Sequence, residues 1–146
     1  MTQEQKDLLL KDLGTRVFYN PKFTFGYNVY TLNGIVERVN DEGDWVYCLN
    51  AKGIEPIEIE LCKPYLFPIS SMNEEQLEEF YCKFVENEID FNDFKKYYFE
   101  TNSYFKLLTS VSDCPFVIDW FNKNHLDYRG LISMGLAIDA SNLNIY

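Results

Sequence analysis

The sequence predicts an α+β protein with an N-terminal helix, a small twisted antiparallel sheet close to an SH3-like or partly open barrel, and a helical C-terminal half. Three observations lead to this prediction. A capping-box pattern opens the chain, short β-rich runs separated by turn residues fill positions 15–61, and helical periodicity dominates after residue 73. Because 146 residues ordinarily form one domain, we expect 1–146 to be a single domain, with a helix and β meander over 1–68 and a mainly helical part over 69–146.

The first predicted element is a helix that starts after Thr2. Thr2 can accept a hydrogen bond from the amide of Gln5, and the Gln5 side chain can reach back to the amide of Thr2. Apolar side chains recur on one face at Leu9, Leu10 and Leu13. Gly14 is expected to end this helix.

A small antiparallel meander is predicted next. Its β-rich runs are residues 16–19, 29–39, 45–49 and 54–61. In the last run, apolar residues alternate with Glu58 and Glu60, which predicts one buried and one solvated face. Asn33 and Gly34 interrupt the second run and predict a bulge, while Gly43 and Gly53 lie in the predicted turns between strands.

The second half begins with a connector at 63–69, whose two prolines favour an extended path. Asn73 is predicted to cap the helix that follows, with Gln76 completing a capping box. Asp90 is expected to cap a helix over 91–100, although segments 97–99 and 104–107 would also suit strands.

Two further helices are predicted near the end of the chain. Asp113 would cap the first, which begins near Pro115 and has Phe116, Val117, Trp120 and Phe121 on its apolar face. Asp127 would cap the second, which ends at Gly135. Residues 136–138 would form a short final strand.

Composition and charge exclude several functions. The net charge is −10 and the pI about 4.5, which disfavours direct binding to nucleic-acid phosphates. The sequence has no secretory signal pattern and no apolar run of the roughly 20 residues that a bilayer requires, so we expect a cytoplasmic protein without membrane contact. Four widely spaced cysteines (Cys48, Cys62, Cys82 and Cys114) are typical of free thiols and not of a metal site, and no cofactor motif is present.

Two stretches together carry a family resemblance. The first is KPYLFPISSM at 63–72 followed by EEQ at 74–76, and the second combines WFN at 120–122, HLDYRGLI at 125–132 and GLA at 135–137. They resemble a set of small uncharacterised proteins encoded by gut Bacteroidales and by their phages and mobile elements. The resemblance implies a phage or mobile-element origin, a cytoplasmic setting and an accessory role, and it supplies no catalytic residue. Phe121 departs from the leucine expected there.

The second stretch holds the candidate functional residues. His125 could act as a general base oriented by Asp127 or Asp119, but a histidine in a turn between helices more often caps the carbonyls of the first helix. Arg129 could bind a carboxylate or phosphate, but it could equally pair with Asp119, Asp127 or Asp139. Because the structural explanation is the more common one for both residues, we predict no catalytic residue and no enzyme activity.

The leading interpretation is therefore a non-enzymatic accessory protein that binds another macromolecule, most plainly a protein, in the cytoplasm. Aromatic residues make up 17% of the chain, more than a small core readily absorbs, and exposed tyrosine favours recognition. The predicted binding residues are Trp120, His125, Asp127, Tyr128, Arg129, Tyr97 and Tyr98. One alternative is an acidic nucleic-acid mimic that inhibits a host or defence protein, and another is a small enzyme centred on His125 and Asp127.

The mimic would use an acidic middle region. Its carboxylates are Glu55, Glu58, Glu60, Glu74, Glu75, Glu78, Glu79, Glu86 and Glu88. Such a series could imitate a phosphate lattice, although it is also what a solvated helix face and a solvated sheet face look like in sequence.

Overall fold

A computed structural model describes residues 1–85, 89–96 and 114–146 of the chain. It divides into two compact units, the first made of Met1–Leu66 with Arg129–Tyr146 and the second of Phe67–Tyr128. The predicted α+β class is confirmed, because an N-terminal helix is followed by a six-stranded, mostly antiparallel sheet and by further helices. Among the described residues, no helix is both long enough and apolar enough to cross a membrane.

Helix α1 spans Gln3–Arg16 and has the predicted capping box, with Thr2 Oγ1 accepting from the Gln5 amide at 3.2 Å. The prediction that Gly14 ends this helix is wrong. Helix α1 continues for two more residues, which places Arg16 four positions after Asp12, with the two buried side chains in an ion pair. The helix thus continues past the local stop signal, and its last turn carries this buried intrahelical pair.

The predicted strand at 16–19 is also wrong. Val17–Tyr19 form a 3-10 turn that ends at Asn20, which adopts a left-handed backbone conformation with φ 52°. Phe18 is 87% exposed. The aromatic residues that favoured a strand here therefore extend the end of α1 instead of joining the sheet.

The sheet contains six strands in the spatial order β4-β3-β2-β1-β5-β6. Their bounds are β1 Lys22–Phe25, β2 Asn28–Val39, β3 Trp45–Ala51, β4 Ile57–Glu58, β5 Lys63–Leu66 and β6 Ile138–Asp139. All neighbours pair antiparallel except β5 and β6, which are parallel. The sheet is open, with β4 and β6 at its two edges.

The predicted bulge in β2 is confirmed, because the register with β3 shifts between Leu32 and Gly34. The predicted strand over 54–61 is wrong in extent. Only Ile57–Glu58 pair with β3, and Ile59–Leu61 form a 3-10 turn in which Ile59 is buried and Leu61 is 59% exposed. The predicted connector at 63–69 contains β5, which is extended as its prolines require and pairs with both β1 and β6.

The core of the first unit lies between α1 and the sheet. Its fully buried side chains include Leu9, Leu13, Phe23, Leu32, Leu49, Cys62, Leu66 and Leu131. Phe23 belongs to β1, a four-residue strand that the sequence patterns do not single out. The last strand, β6, lies one to two residues later than the predicted 136–138.

The second unit contains three described helices: α2 at Glu74–Phe84, α3 at Phe91–Lys95 and α4 at Pro115–Lys123. The caps predicted at Asn73 and Asp90 are confirmed, since Asn73 accepts from the Gln76 amide at 2.8 Å and Asp90 accepts from the Asn92 amide at 2.8 Å. The remainder of the helix predicted over 91–100 and the open segment up to 111 lie outside the described residues, apart from Lys96.

Helix α4 begins after Cys114, its N-cap, whereas the predicted cap, Asp113, lies outside the described residues. Phe116 was expected on the apolar face of this helix, but it is 78% exposed. The prediction of a further helix from Asp127 to Gly135 is wrong. Residues 128–135 form successive turns, and Gly130 and Gly135 both have positive φ, of 74° and 71°.

Candidate functional site

Trp120, the first of the predicted binding residues, lies in the core of the second unit with only 4% of its surface exposed. Its ring contacts Phe80 edge-on at 5.2 Å between centroids and Phe121 at 5.8 Å. One edge also lines a cleft of about 610 Å³ together with Phe84 and Phe116. Most of the indole is therefore engaged by neighbouring rings.

His125 ends helix α4. It has φ 53°, its amide donates to the Asn122 carbonyl at 3.1 Å, and the next amide, of Leu126, donates to the Phe121 carbonyl at 2.9 Å. This pair of hydrogen bonds is the Schellman motif, in which a left-handed residue closes the last turn and the flanking apolar residues pack together. Leu126 and Phe121 are both buried in the same cluster.

Asp127 and Tyr128 continue this closure in the second unit. The Asp127 amide donates to the Phe67 carbonyl at 2.8 Å, and the Phe67 amide donates to the His125 carbonyl at 2.9 Å. The Tyr128 ring stacks on Phe121 with centroids 5.6 Å apart. Neither His125 nor Asp127 lines the 610 Å³ cleft beside Trp120.

Arg129 belongs to a buried ion cluster of the first unit. Its Nε lies 3.2 Å from Asp12 Oδ1, while Arg16 Nε lies 2.7 Å from Asp12 Oδ2. Asp12 and Arg16 are fully buried. The sequence named Asp119, Asp127 and Asp139 as candidate partners of Arg129, and it missed Asp12 because that residue is more than one hundred positions away.

The thiols and possible metal ligands provide little chemistry. Burial raises the pKa of the Cys62 thiol to about 12, and burial is also the first cause of the raised pKa of Cys48. Both groups therefore stay protonated and are weak nucleophiles near neutral pH. Across residues 1–85, 89–96 and 114–146, no three His, Cys, Asp or Glu side chains are placed to hold a metal ion.

Several carboxylates of the predicted acidic middle region are already in ion pairs. Lysine or arginine pairs with Glu55, Glu60, Glu74 and Glu79, through Arg38, Lys6, Lys95 and Lys83 respectively. Glu86 and Glu88 lie outside the described residues. This pairing supports the solvated-face explanation of the series.

A different acidic surface lies at the end of the hairpin formed by β2 and β3. In this hairpin Val39 pairs with Trp45, and Glu37 pairs with Tyr47. Directly paired side chains lie on the same side of a sheet, and residues two apart along a strand do as well. Val39, Trp45 and Tyr47 therefore lie side by side, and we call these three residues the hairpin face.

The hairpin face is open to solvent. Trp45 is 73% exposed, Val39 53% and Tyr47 40%. Further along the same two strands, the paired residues Ile35 and Leu49 belong to the core side, and Leu49 is fully buried. The hairpin thus extends its apolar face beyond the part of the sheet that the core covers.

The turn beside the hairpin face is held in one shape by Asn40. The side-chain oxygen of Asn40 accepts from the backbone amides of Glu42 and Asp44, at 3.1 and 2.8 Å. The backbone amide of Asn40 donates to the Asp44 carbonyl at 2.9 Å. Gly43 follows with φ 91°, a conformation that disfavours any residue with a Cβ. The carboxylates of this turn are therefore carried on an ordered backbone.

A cleft of about 520 Å³ adjoins the hairpin face in the first unit. Five acidic residues and one lysine line it, together with Trp45: Asp41, Glu42, Asp44, Glu58, Glu60 and Lys6. Lys6 pairs with Glu60. For the other four acids, no basic side chain within the described part of the chain lies at ion-pair distance.

Tyr47 lies opposite Glu37 in the hairpin. A side-chain hydrogen bond to Glu37, followed by the charge of that carboxylate and by burial, raises the pKa of Tyr47. The hydroxyl therefore stays protonated at neutral pH. The site offers an indole, a phenol, an aliphatic side chain and several carboxylates, a set that suits recognition and contains no paired nucleophile and base.

No protein-family model, curated protein or solved structure matches this chain. The site therefore stands on its own geometry. The sequence patterns placed Trp45 only at the start of a strand, and Tyr97 and Tyr98, the tyrosines predicted for binding, lie outside the described residues. The signal that could have identified the hairpin face is the segment Asp-Glu-Gly-Asp-Trp at 41–45, where three acids directly precede a tryptophan in a turn.

Proposed function

We propose that this chain is a non-enzymatic accessory protein that binds another protein in the cytoplasm, and that the hairpin face is its contact surface. The observation that supports this most is the exposure of Trp45 beside Val39 and Tyr47 on an ordered hairpin. Tryptophan and tyrosine are enriched at protein interfaces and among the few residues that supply most of the binding energy there. A large ring left in water has an apolar surface that a partner can cover.

The placement of the other candidates supports the same choice. Trp120, His125 and Arg129 take part in a ring cluster, a helix end and a buried ion pair, all of which stabilise the fold. Because we propose an origin in a phage or mobile element of gut Bacteroidales, a lysate of these bacteria is the source in which to search for a partner.

Site-specific photocrosslinking tests this function. A p-benzoylphenylalanine in place of Tyr47 should give a light-dependent adduct with a protein of a Bacteroidales lysate, and excess unmodified protein should remove that adduct. The same excess of Trp45→Ala should leave it in place. The matched control carries the photoreactive group in place of Phe18, an aromatic residue of the same unit that is 87% exposed. Identical adducts from both positions, or none from position 47, would contradict the proposal.

A further inference from the structure

The charges around the hairpin face indicate what kind of partner fits it. Five acidic residues and one lysine line the adjoining cleft, and four of these acids have no cation at ion-pair distance within the described residues. A partner segment that carried acidic side chains would meet like charge, and a purely apolar one would leave the carboxylates partly desolvated. A segment with positive side chains would neutralise them.

The cleft already holds one positive side chain of the protein itself. Lys6 of helix α1 extends to Glu60, with the two side chains 30% and 34% exposed. This intramolecular pair places an alkylammonium group at the carboxylate of Glu60. Asp41, Glu42 and Asp44, on the turn beside Trp45, remain for further cations.

Trp45 adds a second kind of contact for a cation. An indole face attracts a lysine or arginine head group placed within about 6 Å of the ring, and tryptophan is the best of the aromatic residues for this purpose. At 73% exposure the ring is accessible, and its position between Val39 and the acidic turn places apolar and anionic groups on either side. The aliphatic stem of a lysine could cover Val39 while its ammonium group meets the carboxylates.

We propose that the hairpin face binds an extended, lysine- or arginine-bearing segment of a partner protein, with one cationic side chain over Trp45 and others paired with Asp41, Glu42 and Asp44. This inference rests on the proposed function and specifies the partner's chemistry. The turn ordered by Asn40 makes the acidic groups a preformed surface, which reduces the entropy lost on binding.

The test is a titration of the full-length ¹⁵N-labelled protein, followed through the indole N–H signal of Trp45. That signal is identified as the one missing from Trp45→Phe. The probes are three nine-residue Gly/Ser peptides that carry lysine, norleucine or glutamate at the same three positions. We expect only the lysine peptide to shift the Trp45 indole and the amides of 40–45, with an affinity that falls as salt is raised.

Variants then separate the two contributions. Asp41→Asn combined with Glu42→Gln should weaken lysine-peptide binding by about tenfold, because two carboxylates each contribute a screened contact at the surface. Glu75→Gln combined with Glu78→Gln on α2 removes the same charge from the second unit and should leave the affinity unchanged. Trp45→Leu keeps an apolar side chain without a π face and should cost about threefold.

Each outcome is decisive. Equal binding of the norleucine peptide, or equal weakening by both pairs of acid substitutions, would overturn the basic-segment inference. Spermine that binds as tightly as the lysine peptide would overturn it in favour of a polyamine site. If no peptide binds while the photocrosslink from position 47 persists, the inference fails and the proposed function stands. If the lysine peptide binds but no protein is crosslinked, the proposed function fails although the face binds a basic segment.

Discussion

The two tryptophans of this chain have opposite environments. Trp120 lies in a run that also contains the sole histidine, it is 4% exposed, and aromatic rings surround it. Trp45 follows an acidic turn, it is 73% exposed, and carboxylates line the cleft at its side. A dense cluster of distinctive residues in sequence can therefore form part of a core, while a single exposed ring beside a turn offers a surface to a partner.

The largest effect that we expect is a difference in stability between variants of these two residues. Trp120→Ala should lower the free energy of unfolding by about 3–5 kcal/mol, because it removes a buried aromatic ring and leaves a cavity. Trp45→Ala should cost less than about 1 kcal/mol, since it loses little more than a cross-strand contact with Val39. Urea unfolding of both variants checks this. If Trp120→Ala does not fold, Trp120→Phe should still lose more stability than Trp45→Phe, and equal losses would remove the contrast.

A second prediction concerns Arg129, which belongs to the same sequence stretch as Trp120. Asp12→Ala should destabilise the protein by about 3–5 kcal/mol, because it leaves the buried Arg16 and the largely buried Arg129 without their shared carboxylate. Asp7→Ala, on the exposed side of the same helix, is the control and should change stability by less than about 0.5 kcal/mol. Similar losses from the two variants would mean that Arg129 and Arg16 do not depend on Asp12, and would restore Arg129 as a ligand-binding candidate.

A third prediction tests whether His125 acts through its backbone. An L-residue in the left-handed conformation is strained by roughly 1–2 kcal/mol, and glycine relieves this strain. Glycine also gives the unfolded chain more conformational freedom, which lowers the free energy of unfolding by about 0.4–1 kcal/mol. His125→Gly should therefore keep the wild-type stability to within about 1 kcal/mol, and His125→Val should be the less stable of the two by about 1–2 kcal/mol. Thermal unfolding measures the difference. A Gly variant as unstable as the Val variant would show that the imidazole, and not the helix end, sets the requirement.

How much the sequence could predict depended on how local each signal was. The capping boxes at Thr2 and Asn73 are complete within four residues, so their geometry follows directly from the sequence. The bulge at Asn33 and Gly34 was predicted from a local break in the alternation, although it forms against β3. Each capping box is satisfied by neighbouring backbone groups, whatever the rest of the chain does.

The errors occurred where distant residues decide the structure. Helix α1 passes Gly14 with its Asp12–Arg16 pair enclosed in the core, and β4 ends at Glu58 because Ile59–Leu61 form a 3-10 turn, in which Ile59 is buried and Leu61 is exposed. The hairpin face was missed for the same reason. Val39, Trp45 and Tyr47 form an apolar strand pattern that would be buried in most sheets, and only the limits of the core in three dimensions leave them exposed.

The smallest effect that we expect is the difference in stability between neutralising a paired acid and neutralising an unpaired one. The hydrogen bond from Lys83 holds the pKa of Glu79 below its ordinary value of 4.5. A carboxyl group whose pKa is lower in the folded protein stabilises the fold above that ordinary value, and this contribution disappears as the pH falls through the lowered pKa. At pH 7, Glu79→Gln should therefore lose about 0.3–0.5 kcal/mol, the usual contribution of such a helical pair. The loss should begin to shrink as the pH falls below about 4.5 and should vanish once the pH lies below the lowered pKa, where Glu79 is protonated in the folded protein as well.

Glu42→Gln is the matched variant at the hairpin end. Its carboxylate has no cation at ion-pair distance within the described residues and lies among like charges, so its neutralisation should leave stability at pH 7 unchanged or slightly higher. Urea unfolding of the two variants between pH 7 and pH 3, at low and high salt, gives both difference curves. If Glu42→Gln lost as much stability as Glu79→Gln, the carboxylate of Glu42 would stabilise the fold. It would then be engaged within the protein and not available to pair with a partner's cation.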